Sequence, residues 1–62
     1  MDTKKAMLKE LVSKYEATVA QMNELMEKVQ RTYLIEDVQT LHEVTGRAIA
    51  LHNLLVDVAF DR

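Results

Sequence analysis

Apolar residues recur through the first half of the chain at Leu8, Val12, Tyr15, Val19, Met22, Met26, Val29 and Tyr33. The steps alternate between four and three, which puts all eight on one side of a helix. Carried on at sevens, the register of Leu8, Tyr15, Met22 and Val29 meets Glu36, Glu43, Ala50 and Asp57, which cannot extend an apolar seam. The pattern predicts a turn at about residues 32–36. A first helix is expected over about 4–31, capped by Asp2 or Thr3, and a second over about 37–60, capped by Asp37. Two other layouts are open: an unbroken rod of about 57 residues, roughly 85 Å long, and a break at Thr45–Gly46 with glycine ending the helix.

The two helices differ in how much surface they ask to bury. The first has an apolar arc of roughly 140°, whereas Val38, Leu41, Val44, Ala48, Ile49, Leu51, Leu55, Val56, Val58, Ala59 and Phe60 spread over roughly 200° of the second. One neighbouring helix cannot cover that. The second helix is therefore expected to touch both the first and a symmetry mate, with Val44, Leu51, Leu55 and Val58 at the self-association contact. The fold class this implies is all-α: a two-helix antiparallel hairpin, one domain over residues 1–62, dimerising into an antiparallel four-helix bundle.

Composition supports helices throughout. Proline is absent and glycine occurs once, while good helix formers are frequent. Acid-to-base pairs at i, i+4 stand at Glu10–Lys14, Glu24–Lys28, Glu27–Arg31 and Glu43–Arg47, and mark solvated helix faces; the last spans Gly46 and argues that the helix runs through it. A 62-residue chain buries only about 60% of its unfolded surface. With no cysteine and no structural metal site, association is the supplement left to it.

Charge adds little. The net is −2, with six basic and five acidic residues up to Arg31 and two basic and five acidic after it, so no nucleic-acid partner and no membrane surface are indicated. The longest apolar run, Ala48 to Phe60, is broken by His52, Asn53 and Asp57 and falls short of the ~20 residues a membrane span needs. MDTKKAMLKE does not read as a signal peptide. The expected location is cytoplasmic.

Candidate chemistry is sparse. His42 and His52 are ten residues apart, not the i, i+4 pair a helical metal site uses. His52 lies in the apolar arc and is read as a hydrogen-bonded interface histidine or a pH-sensitive contact. Ser13 is the only serine and has no base in register. Adjacent Glu36 and Asp37 fit a helix start, where the dipole favours negative charge. No catalytic, metal or cofactor residue is assigned, and an enzyme is not expected.

The turn segment Thr32–Tyr33–Leu34–Ile35–Glu36 is apolar where turn-forming residues are the rule. Tyr33, Leu34 and Ile35, together with Ile49, Val56 and Phe60 on the outer flank of the second helix, are the expected contacts for a protein partner. In length and layout the chain resembles the plasmid copy-number regulators that bind RNA as hairpin dimers, though a basic RNA-facing surface is missing. In Ala48–Ile49–Ala50 followed by an apolar helix end it is similar to the small hairpin co-chaperones of type III secretion needle subunits, without their glycine-containing loop. The leading expectation is a small non-enzymatic interaction module (regulator, inhibitor or adaptor) acting as a helical homodimer. The alternatives are a co-chaperone whose second helix is covered by a different protein, and an RNA-binding regulator.

Overall fold

The computed structural model describes residues 3–61. Two helices make up the described residues, α1 over Thr3–Thr32 and α2 over Ile35–Ala59, joined by Tyr33 and Leu34. They fold back on one another as a hairpin with Cα extents of 48 × 17 × 11 Å. Three contacts fix the antiparallel register: Lys4 with Asp61, Tyr15 with His52 and Thr32 with Asp37. The rod and the break at Gly46 are not adopted. α2 passes through Gly46 without a positive φ, and a Cβ built there would meet nothing within 4 Å.

The seam between the helices corrects the expected one. On α1 the residues turned toward α2 are Leu8, Leu11, Tyr15, Thr18, Met22, Leu25 and Val29, with Leu11 buried and the others half-buried. Leu11, Thr18 and Leu25 thus take the places the apolar line had given to Val12, Val19 and Met26. On α2 the seam runs through Asp37, Leu41, Val44, Ala48, Leu51, Leu55 and Val58. Val44, expected at a contact between copies, is 2% exposed inside a single hairpin, and Leu51, Leu55 and Val58 are half-buried on the same line. Val44 is thus taken up by the hairpin's own core, while the other three keep part of their surface exposed. The apolar core is thin: among the described residues only Leu11, Val44 and Ala48 are buried.

The turn is tighter than the sequence suggests and uses Asp37 differently. α2 begins at Ile35, two residues before the expected cap, and its N-cap is Leu34, with no side-chain cap bond. Asp37 is instead the third helical residue and 8% exposed. The Thr32 hydroxyl lies 2.8 Å from Asp37 Oδ2 and 3.0 Å from the Lys28 carbonyl; its single proton favours the charged, nearer acceptor. Thr32 Oγ1 also accepts from the Leu34 N–H at 3.3 Å, and Lys28 Nζ approaches Asp37 Oδ1 to 3.3 Å. Asp37 is therefore a clasp across the turn. It draws Lys28 away from the expected pairing with Glu24, whereas Glu10–Lys14 forms at 3.4 Å. Tyr33 ends α1 at φ 53, its N–H reaching the Val29 carbonyl at 2.7 Å, a left-handed conformation that costs a non-glycine residue about 1–2 kcal/mol. Of the two expected caps of α1, Asp2 lies outside the described residues and Thr3 is already helical.

Candidate functional site

The seam has two flanks, and they are chemically unlike. On one side of it α1 carries Val12, Val19 and Met26, each one position beyond Leu11, Thr18 and Leu25. On the other it carries Lys14, Gln21 and Lys28. The apolar flank meets the matching flank of α2 in an open groove of about 310 Å³ lined by Tyr15, Val19, Met22, Thr45, Ala48, Ile49 and His52. No charged carboxylate or ammonium lines it.

Local structure adapts the polar members of this groove to apolar company. The Thr45 hydroxyl donates back to the Leu41 carbonyl at 2.7 Å, which satisfies it within its own helix and leaves the methyl for contact. The His52 ring leans on Tyr15 with centroids 6.1 Å apart and planes at 49°, within the range of a tilted aromatic pair. His52 itself is exposed in the single hairpin. Val12, Met26 and Val38, beyond the groove, are 39%, 47% and 47% exposed, and Ile49, at its rim, 57%. Isolated exposed apolar residues are ordinary, but a contiguous set marks a contact surface.

The ends of the hairpin add to this. At the turn, Tyr33, Leu34 and Ile35 are 79%, 53% and 75% exposed, and at the open end Phe60 is 68% exposed. Val56, expected on the same outer flank, is half-buried. The opposite broad face is mixed: Gln21, Glu24, Leu25, Glu27, Lys28, Arg31 and Thr40 line one hollow, and Lys4, Asp57 and Asp61 share another with Met7, Leu54 and Val58. A small apolar spot, which no periodic pattern marks, lies there: Leu54 shares a hollow with Met7, Leu11 and Val58, edged by Glu10 and Lys14.

Nothing resembling a reaction centre is assembled among the described residues. No group of three His, Cys, Asp or Glu could hold a metal, Ser13 and Glu36 are exposed, and no buried side-chain polar atom lacks a partner. At Asp37 the Thr32 hydrogen bond lowers the carboxyl below its ordinary value, opposed by burial and assisted by Lys28. That clasp spans the turn. No described helix is long and apolar enough to cross a membrane. No family model, curated protein or solved structure matches this chain.

Proposed function

We propose that the chain is a small non-enzymatic protein-interaction module, a regulator, inhibitor or adaptor, that works as a homodimer in which two hairpins form a four-helix bundle. The observation that carries this reading is uncovered area. A compact chain of 7.1 kDa exposes about 4,100 Å², whereas this hairpin exposes 5011 Å². The excess, about 900 Å², matches the ~800 Å² that each partner hides in a standard interface. Its radius of gyration, 14.3 Å, likewise exceeds the ~11 Å of a compact chain this long. The apolar groove face is where the excess is most costly to leave in water. The turn, with Tyr33 and Leu34 at its tip, supplies a second apolar contact for a different protein.

Mass and helicity measured together against concentration test the proposal. A species of twice the chain mass, losing helicity as it dissociates on dilution, is expected. A monomer that stays fully helical at high dilution would sink it.

A further inference from the structure

We infer that the second copy lies antiparallel across the groove face, with the two-fold axis passing over Val19 and Ile49, so that the turn of each hairpin lies at the same end as the open end of the other, with Tyr33 and Leu34 projecting beyond the contact. This rests on the homodimer reading and specifies its geometry. The groove occupies the middle of the hairpin, between residues 15 and 22 of α1 and 45 and 52 of α2. Val19 and Ile49 both line it, so one axis can cross both helices at the same height.

The sequence on this face is self-complementary about that axis. Val12 and Met26 stand seven residues either side of Val19, and Val38 and Phe60 eleven either side of Ile49. A two-fold operation makes each surface patch its own partner. It therefore sets Val12 on Met26 of the second copy, Val38 on Phe60, and Val19 and Ile49 on their own counterparts. All but Val19 of these residues are more than a third exposed in the single hairpin.

The absence of native cysteine makes cross-linking a clean test. A disulfide needs Cβ atoms about 3.5–4.5 Å apart, a distance met only at the axis or between residues that the two-fold superposes. Ile49→Cys should oxidise to a covalent dimer. Equimolar Val38→Cys and Phe60→Cys should give a mixed disulfide, with neither variant cross-linking alone, which keeps the test alive if Ile49→Cys fails to fold. A dimer by mass in which only a mixture of Val19→Cys and Ile49→Cys cross-links would overturn the antiparallel geometry and leave the homodimer standing. A wild-type chain that is monomeric by mass overturns both.

Discussion

The two broad faces of the hairpin are made from the same pair of helices, yet one has no charged residue lining its central groove, whereas the other mixes charged side chains with a small apolar spot around Leu54. On α1 the difference is a single position: Leu11, Thr18 and Leu25 face α2, the residues immediately after them are Val12, Val19 and Met26, and the residues three positions after Leu11, Thr18 and Leu25 are Lys14, Gln21 and Lys28. A hairpin needs only the central line to close. The second apolar line on α1 is more than intramolecular folding asks for, and a contiguous exposed apolar set of this kind is what the proposed self-association would cover.

Charging each face in turn breaks the comparison most directly. Ile49→Asp places two carboxylates at the axis of the proposed dimer, where neither has a cation and both must be desolvated. Self-association should weaken by at least about 100-fold, equal to about 2.7 kcal/mol. Leu54→Asp makes the same change at a residue 49% exposed on the opposite face, and should shift association by only a few-fold. Sedimentation equilibrium on both variants reads the contrast; equal effects would mean that the groove face is not special.

A second contrast separates the groove face from the turn. Leu34→Ser combined with Ile35→Asn removes two exposed apolar groups, each worth about 1–3 kcal/mol when buried against a partner, without touching the seam. Recovery of a protein partner should fall sharply while the thermal midpoint stays within a few degrees. Collapse of the midpoint would instead make the turn part of the folding core.

Gly46 offers a smaller effect that distinguishes helix stability from face chemistry. It sits in the interior of α2 with ordinary helical backbone and open space where a Cβ would go. Gly46→Ala should stabilise the chain by about 0.5–1 kcal/mol through the backbone alone. Denaturant midpoints give the gain, and a loss of stability would show that something packs against this position.

The position of the turn was legible in the sequence because a register that meets Glu36, Glu43 and Asp57 cannot continue an apolar seam. The seam itself was harder to read. Two lines of residues at sevens lie side by side on α1, one through Leu11, Thr18 and Leu25 and the other through Val12, Val19 and Met26. The second is uniformly apolar, and Thr18 makes the first look interrupted, although its hydroxyl is spent on the Lys14 carbonyl at 2.9 Å. Residues that pack best are not always those that look most apolar in order. The same limit hid the clasp at Asp37 and the Lys4–Asp61 pair, whose atoms meet at 3.1 Å across the open end: local patterns assign a carboxylate to the nearest helix start, and only the folded chain shows which cation it faces.

That clasp supports the smallest prediction, because Lys28 is 53% exposed at its side chain and solvent screens much of its pull. The Asp37 carboxyl is held below its ordinary value by the Thr32 hydroxyl first and Lys28 after it, against an opposing contribution from burial. The unfolded chain binds this proton more readily than the folded one, so the stabilisation is fully present above the ordinary carboxylate value of about 3.9 and drains away as pH falls through the lowered folded value. Wild type and Asp37→Asn should therefore converge in unfolding midpoint between pH 6 and pH 2.5, with the wild type losing more. Loss of the Thr32 hydroxyl in Thr32→Val should shrink the same pH response while leaving the groove face and its self-association intact. Parallel acid profiles for wild type and Asp37→Asn would show that the clasp contributes nothing to the closed end, and that the turn is held by the backbone bonds from the Tyr33, Asp37 and Val38 N–H groups alone.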